Sequence, residues 1–159
     1  MTITIEVLRD EVVTARLASM SQAIRQRLRT VIGKETTGLR DGVKDAISSI
    51  FRSRGPLYQS IGAEMEESTT AIGGRVFSEG VPYARIQEYG GTTRPHTIVP
   101  KNAKALVFMK SGSLIFARKV NHPGSRIPER SYMRSTLHQM RPEIVEAISD
   151  AVGEEVTKE

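Results

Sequence analysis

Apolar positions change period along the chain, and each change marks an element. Thr2 to Leu8 alternate, with Ile3, Ile5 and Val7 on one side and Thr2, Thr4 and Glu6 on the other. That is the period of a strand, giving a strand arm over 1–8. From 9 to 50 the spacing becomes three and four. Val13, Leu17, Met20, Ile24, Leu28 and Val31, then Leu39, Val43, Ala46, Ile47 and Ile50, form the apolar stripe of a helix. Gly33, Thr36, Thr37, Gly38 and Gly42 interrupt the stripe. An interior glycine costs a helix about 1 kcal/mol against alanine. The pattern therefore predicts one long helix over 9–50, either continuous or bent near 33–38.

Arg52 to Pro56 stops that pattern with Gly-Pro. Strands follow at Ile61–Glu67 and Ala71–Ser78, joined by a turn at Ser68 and Thr69. Gly73 and Gly74 either weaken the second strand or mark a bulge in it. The segment 81–100 reads as a shaped connector. Val81-Pro82 enters a short helix, Tyr83 to Tyr89, and Gly90-Gly91 leaves it. Thr97–Val99, Lys104–Met109 and Leu114–Val120 read as strands, the last two joined by a hairpin loop at Lys110–Ser113. His122-Pro123-Gly124-Ser125 has the residues of a type II turn. Pro128 opens a closing helix over 128–152, which Pro142 interrupts or restarts, and 153–159 is a frayed tail. The sheet thus occupies 56–127. Strands cluster between helical ends without regular alternation. This predicts a single α+β domain over 1–159, in which a long N-terminal helix and a C-terminal helix pack on a largely antiparallel sheet, with a short helix in the central connector.

Composition narrows the chemistry. At 159 residues the chain can bury roughly 70% of its unfolded surface in one core. It has no cysteine, which excludes disulfides, thiolate metal sites and a cysteine nucleophile. No apolar run approaches the roughly 20 residues of a membrane span, and the acidic start lacks a signal pattern, so the expectation is a soluble protein folded in the cytoplasm. The net charge is +5 and the aromatic content 5%, with no tryptophan. Lean apolar content suggests burial completed against other copies of the chain.

Catalytic motifs are missing: no phosphate-binding loop, nucleophile elbow, HExxH or dinucleotide fingerprint is present. Gly73-Gly74 and Gly90-Gly91 are isolated doublets. His96 and His122 are the histidines able to converge, with Glu88 as the third ligand that zinc would require. Their neighbouring prolines make them turn residues first. His138 falls on the closing helix. Glu64, Glu66 and Glu67 read as the solvated edge of a sheet. Arg25, Arg27, Arg29 and Lys34 could face DNA from the long helix, but no aromatic residues interleave with them. The connector and the loop after it carry more exposed arginine and tyrosine than a buried link needs. Arg85, Glu88, Tyr89, Arg94, His96, His122, Arg126 and Arg130 are the candidate protein-interface residues.

Three blocks occur in order: PYARIQEYGG, RPHTIVPKNAKALVF and FARKVNHPGSRIPERSYMRSTL. They resemble the neck and tail-completion family of tailed bacteriophages, small virion-morphogenesis or minor tail proteins. The matching positions are Tyr83, Ala84, Glu88, Tyr89 and Gly90, then Pro128 to Met133, with Gly55, Leu57, Ser60 and Ile61 after the long helix. Tyr132 stands where that family usually has phenylalanine, and Glu129 where a small residue is common. The resemblance spans roughly 10–150. It implies a structural, non-catalytic protein without cofactor, metal or small-molecule substrate. Such a protein would form a ring of its own copies at the head–tail junction or tail end, touch other neck and tail proteins, and surround passing genomic DNA. It would lie in the virion, and in the host cytoplasm during assembly, with no membrane partner. The alternative expectation is a basic DNA-binding accessory protein.

Overall fold

A computed structural model describes residues 2–6, 22–69 and 71–156. The expected apolar positions Val7, Leu8, Val13, Leu17 and Met20 lie outside the described residues.

Two helices and a sheet make the body. Helix α1 runs unbroken from Gln22 to Phe51, about 45 Å at 1.5 Å per residue. Its buried residues are Ile24, Leu28, Ile32, Thr36, Leu39, Val43 and Ile47. The inward position at the fourth turn is thus Ile32, while Val31 is half-buried. Arg52 ends the helix by entering the left-handed region at φ 49°, and a short turn of helix, α2 (Pro56–Gln59), leads into the sheet.

The sheet has three antiparallel strands in the order β1 (Thr2–Glu6), β3 (Ile72–Ser78), β2 (Ile61–Glu67). β3 is central. Gly73 and Gly74 pair in register with Glu66 and Met65 on one side and with Glu6 and Ile5 on the other, so the doublet forms no bulge. Its purpose is proximity. A Cβ on Gly74 would run into the side chain of Thr36 on α1. Thr36 is buried, and its hydroxyl is satisfied by donating to the Ile32 carbonyl at 2.6 Å. Small residues on both sides let α1 lie close against β3.

Helix α4 (Arg134–Val156) packs along α1. A Cβ on Gly42 would stand 3.1 Å from Thr136 and 3.2 Å from Met140. The interior glycines of α1 therefore serve close helix contact, which offsets their propensity cost and removes the need for a bend. α4 starts at Arg134, later than the expected 128, because Glu129 to Ser131 are used to reach the connector. It continues through Pro142 as one helix, and extends to Val156 where a frayed tail is expected.

The main core joins Leu39, Val43 and Ile47 of α1 to Leu57, Ile61, Val76, Ala84, Tyr132 and Met133. A second cluster joins Ile24, Leu28, Ile32 and Ile72, with Ile148 and Val152 against them. Each fully buried aliphatic side chain contributes roughly 2 kcal/mol to holding these layers together. The fold is α+β, with a long helix, a closing helix, antiparallel strands and a short helix between them. Among the described residues, no helix is long and apolar enough to cross a membrane.

Candidate functional site: a basic ribbon with an apolar tip

The connector splits into two parts with opposite roles. Its first part, α3 (Ala84–Tyr89), is bolted to the start of α4. Glu88 is fully buried. Its carboxylate accepts from the backbone N–H groups of Met133 and Arg134, each at 2.9 Å, and from Arg134 Nε at 3.2 Å. These N–H groups lie at the start of α4, where no carbonyl of the preceding turn can serve them. A carboxylate there also meets the positive end of the helix dipole. The backbone continues the join, with Arg130 N donating to Gln87 O and Ser131 N to Glu88 O. Tyr132, fully buried, donates its hydroxyl to Ala84 O at 3.1 Å. Burial raises the Tyr132 pKa, with the Glu88 carboxylate and Tyr83 adding to the shift.

The second part of the connector begins a separate structure. Residues 91–127 run out and back as a two-stranded ribbon. Its root is β4 (Gly91–Thr92) against β9 (Arg126–Ile127). Its middle is β5 (His96–Ile98) against β8 (Val120–His122). Its tip is β6 (Leu106–Lys110) against β7 (Ser113–Ala117). The hairpin loop expected at 110–113 is a two-residue turn at Ser111 and Gly112, both with positive φ (50° and 81°). That is the backbone signature of the turn that matches strand twist. The turn expected at His122–Ser125 does not reverse the chain. Gly124 has the positive φ of 93°, but β8 and β9 on either side pair with the same outgoing strand, Thr93 N bonding Ser125 O between them.

Nothing from 91 to 127 is buried. Val107, Met109, Leu114 and Phe116 share one face of the tip and are 55%, 71%, 61% and 70% exposed. Phe108 and Ile115 share the other face at 38% and 36%. The ribbon also holds seven basic residues, Arg94, Lys101, Lys104, Lys110, Arg118, Lys119 and Arg126, and no acid. Taken from the chain's 23 basic and 18 acidic residues, they leave 16 against 18, so the ribbon is +7 and the rest is −2.

The candidate interface residues separate along this division. Arg85, Tyr89 and Arg94 line a shallow depression at the ribbon root, with Pro82, Ile86 and Gly91. Arg126 is exposed opposite Thr92. His96 and His122 do converge, stacking across the ribbon with ring centres 5.1 Å apart. His96 Nδ1 lies 3.1 Å from Arg94 O, and His122 Nδ1 accepts from Gly124 N at 3.0 Å. Glu88 is a correction: it holds α4 from inside the body and has no surface to offer a partner. Arg130 lies over the Phe51 ring at 4.7 Å, packed within its own chain. Among the described residues, no three His, Cys, Asp or Glu side chains group to hold a metal.

The helix arginines are also committed. Arg25 donates to the Thr69 and Ser68 carbonyls, and Arg29 pairs with Glu67 at 2.5 Å. The hydrogen bond from Arg29 holds the Glu67 carboxyl below its ordinary range. These two arginines tie α1 to the β2–β3 turn. Arg27 is exposed, and Lys34, 83% exposed, stands 3.8 Å from Glu35. Glu64 and Glu66 pair with Arg75, so this sheet edge is ion-paired as well as solvated.

Residue-type reasoning missed Arg134 and the ribbon tip. Arg134 bonds Glu88 and Glu129, and its guanidinium lies 4.3 Å from the centre of the Tyr89 ring. The tip had a visible signal: LVFM and LIFA are apolar at successive positions, so neither face of the hairpin is polar. Comparison with known proteins found nothing similar, since no family model, no curated protein and no solved structure matches the chain.

Proposed function

We propose that the chain is a structural, non-catalytic subunit that works by docking, and that it belongs at the head–tail junction or tail end of a tailed bacteriophage. The observation that carries this reading is the ribbon: the body extends a hairpin whose apolar tip is exposed, with none of the described residues covering it. Exposed apolar surface of this kind is the mark of a protein–protein contact. In the body, by contrast, the buried carboxylate of Glu88 is engaged in structure, capping a helix. The virion location and the ring of like copies come from the resemblance of the PYARIQEYGG, RPHTIVP and IPERSYM blocks to the neck and tail-completion family.

Light scattering after size exclusion tests self-assembly, and complementation of a neck-deficient phage tests the location. A strict monomer that also fails to join heads to tails overturns the reading. A second reading, DNA binding, is favoured by the seven basic residues of the ribbon without an acid. It requires affinity that falls steeply with salt, which gel shifts at two salt concentrations measure. The four apolar side chains at the tip favour a protein surface over a phosphate backbone.

A further inference from the structure

The body carries a second opening, where the end of α1 meets α2 and α3. It is a cleft of about 290 Å³. Its lining joins Ile47 and Leu57, both buried in the main core, to the rings of Phe51, Tyr58 and Tyr83. Phe51 meets the buried Tyr132 edge-on, with ring centres 6.4 Å apart, and Tyr83 is exposed. An apolar group entering here would continue the core of the body. The volume falls just below the roughly 300–1,000 Å³ of small-molecule pockets, which suits one large side chain. No charged residue lines the cleft. Gln87 does, and its amide oxygen has no hydrogen-bond partner among the described residues, so nothing in the chain fixes the orientation of that amide.

Three cations stand over the rings of the lining. Lys44 Nζ lies 5.3 Å and the Arg54 guanidinium 5.7 Å from the centre of Tyr58, and the Arg130 guanidinium lies 4.7 Å from that of Phe51. Among the described residues, none of the three has an acid partner. The acids beside Lys44 on α1 do not neutralise it: Asp41 pairs with Arg40, and Asp45 is exposed without an ion pair. A stacked base needs bare ring faces, and here cations already lie over Phe51 and Tyr58. The surround therefore favours carboxylates with an apolar anchor between them.

We propose that this cleft is the anchor site for an acidic segment of a partner protein. One aromatic or branched aliphatic side chain of that segment fills the cleft, and its flanking carboxylates meet Lys44, Arg54 and Arg130. An apolar anchor in a pocket, within a surround of complementary charge, is the arrangement of a binding hot spot. The site includes no residue of the ribbon and does not depend on assembly through the tip.

The chain has no tryptophan, so a tryptophan in an added peptide reports its own burial. The full chain is titrated into a short peptide with one central tryptophan between runs of glutamate. The expected result is a saturable blue shift of the peptide's emission. The same peptide with glycine in place of the tryptophan competes at least tenfold less well, the anchor being lost. Lys44→Gln with Arg54→Glu weakens binding about tenfold, the loss of two exposed pairings, with the melting temperature unchanged. Tyr83→Ser, which removes an exposed wall of the cleft, weakens it as well, and Met109→Ser with Phe116→Ser leaves it intact. Absence of a blue shift overturns the inference. A shift kept in the cleft variants and lost with Met109→Ser and Phe116→Ser also overturns it; the peptide would then sit on the basic ribbon, and the docking reading would survive. Equal binding of a peptide with lysines for glutamates overturns the acidic partner. Tighter binding of oligothymidylate of the same charge, weakened by the same cleft variants, overturns it in favour of nucleic acid.

Discussion

The body and the ribbon use the same kinds of side chain to opposite ends. In the body, Leu39 and Val43 are fully buried, and so is the charged Glu88. In the ribbon, Phe116 and Met109 are the most exposed large hydrophobic residues among those described. The body is held by burial and by a carboxylate that closes a helix end. The ribbon is held by a backbone ladder and a tight turn, with no buried layer. The difference teaches that stability and binding through the tip reside in separate parts of this chain, so mutations should affect one without the other.

The strongest way to test that division is to loosen the body at its joint. Glu88→Ala leaves the Met133 and Arg134 N–H groups without their acceptor and should cost about 3 kcal/mol, a fall of about 10 °C in Tm for a domain this size. Calorimetry checks it. An unchanged Tm would mean that the joint does not hold the body.

Gly74→Ala comes next. The added methyl group meets Thr36 inside the helix–sheet contact and should cost about 2 kcal/mol. Thr36→Ala in the same chain should recover part of it, since the two sites touch. A urea titration of the four variants measures the coupling.

Tyr132→Phe keeps the ring and removes its hydrogen bond to Ala84, a loss of about 1 kcal/mol. It also sharpens the pH behaviour. Burial raises the Tyr132 pKa in the fold, so the neutral hydroxyl is the form the fold favours. Its contribution is complete below the ordinary tyrosine value of about 10 and is lost as pH rises past it. Alkaline unfolding should therefore be steeper in the unaltered protein than in Tyr132→Phe.

Glu67 gives a smaller effect at the other end of the scale. Arg29 lowers its pKa, so the pair contributes above the ordinary carboxylate range and fades as pH falls through the lowered value. Glu67→Gln should flatten the acid side of a stability-against-pH curve slightly, an exposed pair being weak.

The smallest stability effect belongs to the ribbon tip, where it matters most. Met109→Ser with Phe116→Ser should move the unfolding free energy by no more than about 0.5 kcal/mol while abolishing assembly in light scattering. A large loss of Tm would erase the distinction between body and ribbon.

Much of the body was legible in the sequence because burial writes a period. The stripe from Ile24 to Ile47 and the pair Ile61–Glu67 with Ala71–Ser78 placed the C-terminal end of α1, and β2 and β3, within a residue or so. The glycines read less well. Gly42 and Gly74 looked like weaknesses, since propensity is local and the neighbours that require small residues, Met140 and Thr36, are distant in the chain. For the candidate site, residue type located the region but misassigned Glu88. Charge argues for exposure until a helix start 45 residues away supplies the partners.

What the sequence determined by itself was the class of fold and most of the helices and strands of the body, because periodicity and residue type are properties of short stretches. Tertiary structure alone decided that residues 91–127 form one ribbon, that the two histidines stack, and that the connector's carboxylate turns inward. Those outcomes depend on which distant segments meet, and a hydrogen bond across 30 residues leaves no local trace.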